Sequence, residues 1–185
     1  MKKRWILLGL VLFQTILTGC ASKTPQLPDE CLAQNMLISK EDIGALEEYA
    51  LFSPMSDEPA NSATISFQDP GLGSTFIIQH YDRNIESAYD NYSEFAFQTD
   101  EHFGPWIRPG DLTFESTAAD EFEYRCGRVW DEIHCIYVAR YRNYLVDFGL
   151  IIGPEDFSLE NFESGMAAID REAAECFAAL EEATP

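Results

Sequence analysis

The sequence predicts an α+β fold: an antiparallel sheet of about four to five strands with two or three helices, one of them C-terminal and packed on the sheet. Two observations carry this and a third narrows it. Residues 122–129, 133–141 and 144–150 alternate apolar and polar side chains with the period of two of half-buried strands. Residues 158–182 instead step by three and four, the spacing of an amphipathic helix. Strands and helices do not alternate regularly enough for a doubly wound parallel sheet.

Length and composition set the outer bounds. The chain of 185 residues suits one domain with a small appendage. With 13 Phe, 8 Tyr and 3 Trp it is too aromatic to be mainly disordered. Its 32 acidic residues against 12 basic ones give a net charge of -20, a field that no basic patch would dominate. Nucleic-acid binding is therefore not expected.

The N-terminus carries an address. Lys2, Lys3 and Arg4 precede an apolar run from Trp5 to Phe13 that continues through Ile16 and Leu17. That is a charged segment followed by an apolar one too short to argue first for a spanning helix. The run ends Leu17-Thr18-Gly19-Cys20, which resembles the lipobox of bacterial lipoprotein precursors at every position. The resemblance covers residues 1–20. It implies a signal peptide over 1–19, cleavage before Cys20, thioether lipidation of Cys20 and acylation of the new amino terminus. Two or more acyl chains anchor stably, where one binds marginally. Ala21 after the cysteine implies export to the outer membrane where the organism has one. Loss of residues 1–19 removes three basic and no acidic side chains, taking the charge from -20 to -23. Residues 20–30, with Pro25 and Pro28, then read as a tether, and 31–182 as a single α+β domain.

Ser39-Lys40-Glu41-Asp42 reads as a helix start, and 53–63 as loop. Residues 74–81 read as a strand. Residues 84–97 read as a helix whose stripe is Ile85, Ala88, Tyr89, Tyr92, Phe95 and Ala96. Gly104-Pro105 and Pro109-Gly110 make 100–111 a loop, and 112–117 fit a short strand. A turn at Trp130-Asp131 sets Cys126 opposite Cys135. A turn at Arg142-Asn143 pairs Tyr141 with Tyr144, Ala139 with Val146, Tyr137 with Phe148 and Cys135 with Leu150. The register is self-consistent, because these residues share one face with Phe122, Tyr124 and Cys126. Arg140 and Asp147 fall on the other face, within diagonal reach. In the last helix Leu159, Phe162, Met166, Ile169, Ala173, Cys176 and Leu180 form the buried stripe, with Ser158 as N-cap.

Four cysteines in an exported domain imply two disulfides. The opposed pair Cys126–Cys135 leaves Cys31 with Cys176. No C-x-x-C spacing favours a metal or redox site, and His80, His102 and His134 lie far apart, so no metal and no cofactor is expected. Phosphate-loop, nucleophile-elbow and H-E-x-x-H patterns are missing from the sequence. The binding candidates are Trp130 with His134, at an acidic hairpin tip, and Trp106, in the Gly/Pro-bounded loop. Trp130 is either a recognition anchor or folded back on the sheet. Trp106 either lines a ligand pocket or plugs the end of the sheet.

These features point to an extracytoplasmic, lipid-anchored, non-enzymatic binding or accessory domain in the bacterial cell envelope. Beyond the membrane that holds the anchor, its strongly acidic surface suits a basic envelope protein as partner. The alternative is a cell-surface hydrolase using carboxylate or histidine acid/base groups, which needs two such groups converging in a pocket.

Overall fold

The computed structural model describes residues 28–39, 41–44, 50–51, 62–69, 73–81, 85–142, 144–153 and 157–182. The fold is α+β, built on an antiparallel sheet. The strands are β1 (Ala50–Leu51), β2 (Ser62–Asp69), β3 (Gly73–Tyr81), β4 (Glu121–Val129), β5 (Glu132–Tyr141) and β6 (Tyr144–Ile152). Their order is β1-β2-β3-β6-β5-β4, six strands by hydrogen bonding, of which the three-stranded unit β4–β6 carries the described core. Neither number is the expected four to five. The strand at Ser62–Asp69 was not read from the sequence, although Ala63, Ile65 and Phe67 alternate there with polar residues, and its first two residues correct the loop reading of 53–63.

The two hairpins are in the register read from the sequence. Cys126 faces Cys135, and Tyr141, Ala139, Tyr137 and Cys135 face Tyr144, Val146, Phe148 and Leu150. Both turns put a non-glycine residue in the left-handed region, Trp130 at φ 56° and Arg142 at φ 53°. That sense of twist suits a tight hairpin, but each such residue costs about 1–2 kcal/mol of backbone strain.

One face of β4–β6 meets the C-terminal helix α2 (Leu159–Glu182). Tyr124, Tyr137, Tyr141, Phe148 and Leu150 from the sheet are buried with Phe162, Met166, Ile169, Ala173 and Cys176 from the helix. Each such apolar side chain stabilises by about 1.5–3 kcal/mol when fully buried. Phe148 and Phe162 stack with centroids 5.4 Å apart. The helix comes this close because residue 165 is glycine: a Cβ there would overlap the Phe148 ring and sit 3.0 Å from Ile43 Cγ2. Ser158 caps the helix as expected. Its hydroxyl accepts the Asn161 amide N–H at 3.2 Å, and Asn161 Oδ1 accepts the Ser158 N–H at 2.8 Å. Two disulfides tie the unit together: Cys126–Cys135 across β4 and β5, and Cys31–Cys176 from the 3-10 turn Asp29–Cys31 to α2.

The opposite face of β5 and β6 is covered too. Helix α1 (Ile85–Ala96) packs there, and Tyr89, Phe97, Trp106, Val138 and Leu145 form a second, smaller core. One further reading is corrected. Residues 112–117 form no strand: Leu112 and Phe114 are buried against the main core, and the segment ends on hydrogen bonds to Asp170. At Ser39 and residues 41–44 the chain turns, with the Ser39 N–H and hydroxyl donating to the Asp42 carboxylate, the Asp42 N–H to the Ser39 hydroxyl at 3.4 Å and the Gly44 N–H to Glu41 O. Residues 45–49, where the helix read from residues 39–42 would continue, lie outside the described residues.

Candidate functional site

The candidate site lies where α1 ends on the sheet. The helix stops at Ala96, and Phe97 takes the buried place that the sequence reading assigned to Phe95. Phe97 is held edge-on to Trp106 with centroids 5.9 Å apart, and the Arg125 guanidinium lies 4.9 Å from its ring centre. Phe95 is thereby turned outward and is 65% exposed, which corrects its placement on the buried stripe. A ring of this size left in water at a helix end is a feature that a binding surface would use.

Beneath Phe95 is a cavity of about 280 Å³, walled by Ala96, Phe103, Trp106, Val129, Ile136 and His134, with Gln98 and Asp147 at its border. Each wall has a local cause. Trp106 follows the cis Gly104–Pro105 peptide, and its indole N–H donates to Gln98 O at 2.8 Å. The loop is pinned to the edge of β4 by paired bonds between Ile107 and Cys126 at 2.8 and 2.9 Å and by Gly104 N–H to Arg128 O at 2.7 Å. Gly127 lies opposite, where only a missing side chain leaves room for the indole. Val129, His134, Ile136 and Asp147 arrive by strand alternation, all on the α1 face.

The three binding residues read from the sequence meet this region in different ways. Trp106 is buried and walls the cavity, so it both closes the sheet's end and lines a pocket. His134 is half-buried on the same wall, its Nε2 3.2 Å from the Glu132 carboxylate. Trp130 is not a wall residue. It stands at the hairpin tip, 62% exposed, stacked on His102 with centroids 4.3 Å apart. A bulky exposed residue at positive φ is unusual, and such strain is often kept at functional surfaces. Cys20 lies outside the described residues.

Within the cavity lining His134 and Asp147 do not pair, and the carboxylate within reach of His134 is Glu132 at 3.2 Å, outside that lining. His134 pairs across to Ile151, and Asp147 to Val138, so the two sit four residues apart along the strands, about 13 Å. A dyad needs hydrogen-bond reach. Among the described residues no group of three or more His, Cys, Asp or Glu could hold a metal ion.

A shallower groove of about 500 Å³ runs along the other side of α1, sharing Gln98 with the cavity. Tyr89, Ser93 and Phe97 line it with the carboxylates of Asp90, Glu94 and Glu123. Its one cation, Arg125, is already ion-paired to Glu123. Burial, with Glu123, Glu121 and Asp90 nearby, pushes the Tyr89 phenol up to about 12. Burial would disfavour a cation as well, and only the neighbouring carboxylates favour one.

Sequence reasoning missed a second polar cluster on the opposite face. Asp170, on α2, is only 7% exposed. Its carboxylate accepts the Ser116 hydroxyl, the Thr117 N–H at 2.9 Å, the Thr117 hydroxyl at 2.8 Å and the Tyr141 hydroxyl at 3.3 Å. Burial raises its pKa, but these donors outweigh burial and hold the group below the usual carboxylate range. Burial also raises Tyr141 and Tyr137, whose hydroxyls lie 2.7 Å apart. Every donor holds a segment in place, so this cluster is a latch between α2, the 112–120 segment and β5. The periodicity gave little signal for it, because Asp170 lies beside Ile169 and off the stripe read from the sequence.

Compared with known proteins, the chain matches no family model, no curated protein and no solved structure.

Proposed function

We propose that this chain is a lipid-anchored lipoprotein of the bacterial envelope, whose folded part is a non-enzymatic binding domain working through the cavity at the end of α1. The anchor rests on the Leu17-Thr18-Gly19-Cys20 resemblance to a lipobox. The two disulfides suit an oxidising, extracytoplasmic setting. Among the described residues no helix is long and apolar enough to cross a membrane.

One observation carries the binding role: an aromatic cavity of about 280 Å³ with Phe95 65% exposed at its lip. Largely preformed apolar cavities with a few polar groups are where ligands and partner side chains enter. The net charge of -23 after loss of residues 1–19 favours a basic envelope protein as that partner and would speed the encounter.

Two measurements on the full chain test this. Intact mass after expression in a lipoprotein-processing bacterium should show a chain beginning at Cys20 with acyl groups, and no acylation in Cys20→Ser. An unacylated wild-type chain would refute the anchor. Affinity capture from detergent-solubilised envelope should then recover a basic protein that is lost at high salt and lost with Phe95→Ser. Recovery of the same proteins by wild type and Phe95→Ser would refute the binding site.

A further inference from the structure

Resting on the reading that the cavity is a binding site, we infer that its occupant is a basic amphipathic segment of a partner protein. One apolar side chain enters beneath Phe95, and neighbouring Lys or Arg residues lie in the groove of Asp90, Glu94 and Glu123.

The argument begins with the position of the two hollows. The apolar cavity and the acidic groove flank the last turns of the same helix and share Gln98. Glu94 and Phe95 are consecutive, so the helix turns one toward each hollow, about 100° apart. Asp90 and Glu94, four residues apart, fall on the same side. An extended segment crossing α1 therefore meets an apolar hollow and paired carboxylates within a few of its own residues. Such a crossing requires a chain, because a small molecule would fill one hollow and leave the other.

Charge selects the sign of that chain. The groove holds three carboxylates against one guanidinium, and that guanidinium is neutralised by Glu123 and stacked on Phe97. A basic side chain entering the groove meets uncompensated negative charge, with aromatic Tyr89 and Phe97 beside it. A second copy of this chain is disfavoured as occupant, because two processed molecules of net charge -23 repel. A purely apolar ligand, such as an acyl chain, would use the cavity but ignore the groove.

The test uses the full chain in nanodiscs of zwitterionic lipid, with empty nanodiscs as the blank. The probes are three labelled synthetic peptides of equal length: lysine residues with one central Trp and Leu, the same peptide with Glu for Lys, and oligolysine. Both variants alter exposed side chains: Phe95→Ser at the lip, and Asp90→Lys with Glu94→Lys in the groove. The basic amphipathic peptide is expected to bind tightest, with about ten-fold weaker binding to each variant. The groove effect should shrink at high salt. Equal binding of the acidic and basic amphipathic peptides, with sensitivity to Phe95→Ser alone, would overturn this inference and leave the cavity as a binding site. Indifference of all three peptides to Phe95→Ser would overturn both.

Discussion

Trp106 fills the space that Gly127 leaves open. A Cβ on residue 127 would come 2.7 Å from Cε3 and 2.8 Å from Cδ2 of the indole, and 3.1 Å from the carbonyl oxygen of Pro105. The indole is held from the far side by Gln98 and Phe97, so it has little room to retreat. Gly127→Ala should therefore destabilise the fold by about 1–3 kcal/mol, the usual result of overpacking, and should displace one wall of the cavity. Chemical denaturation followed by Trp fluorescence measures the first effect. Near-ultraviolet circular dichroism of the native protein reports the second.

Asp170 makes acid stability specific. Its folded pKa is depressed, so its contribution is fully present above the unfolded value near 4 and is lost as pH falls through the folded value. Asp42, where burial opposes but the Ser39 and Arg171 bonds win, contributes with the same sign. Asp170→Asn should cost about 2–4 kcal/mol at neutral pH, since it weakens bonds to a buried charge. It should also flatten, without abolishing, the loss of stability below about pH 4. Denaturant midpoints of both proteins across pH 2–7 measure this, and an unchanged slope would remove Asp170 from the explanation.

The disulfides should differ in weight. The sequence separations are 145 for Cys31–Cys176 and 9 for Cys126–Cys135. Chain entropy assigns such closures about 5 and about 2.5 kcal/mol. Serine pairs at each bridge should therefore lower the denaturation midpoint more at 31 and 176 than at 126 and 135. The reverse order would mean that native packing, not loop closure, dominates.

Trp130 should be dispensable for folding. Its exposed ring stacks on His102, while its backbone sits at φ 56°. Trp130→Gly relieves about 1 kcal/mol of strain and forfeits a stack of similar worth. Its net effect on the melting free energy should stay within about 1 kcal/mol. A larger loss would show the tip to be a structural element.

Some of this molecule was legible in its sequence, and the boundary has a physical cause. The β4–β6 register and the stripe of α2 each bury one face, so a period of two or of 3–4 labels every residue and a slip would scatter the set. The Cys126–Cys135 pairing followed from that register. The cavity was only half legible. Trp106 and His134 were singled out by residue type, but their meeting depends on a loop pinned to β4 and on strand alternation from three directions. Phe95 was misplaced because periodicity treats a helix as endless, whereas α1 stops at Ala96 and Phe97 takes the buried position. Asp170 escaped notice because its five donors lie on the distant 116–118 segment and on Tyr141.

The most direct test of the cavity as the binding site is an indole N–H titration. Of the three Trp residues in the sequence, Trp5 lies in the segment removed before Cys20, so ¹⁵N-indole labelling of the anchored chain gives two signals, from Trp106 and Trp130. The Trp106 signal reports the cavity wall, through an N–H bonded to Gln98 O at 2.8 Å. Titration of the nanodisc-held protein with the basic amphipathic peptide should shift Trp106 saturably, and Phe95→Ser should weaken that shift. Saturable binding that leaves Trp106 unmoved would contradict the account, because the peptide would then sit elsewhere on the molecule.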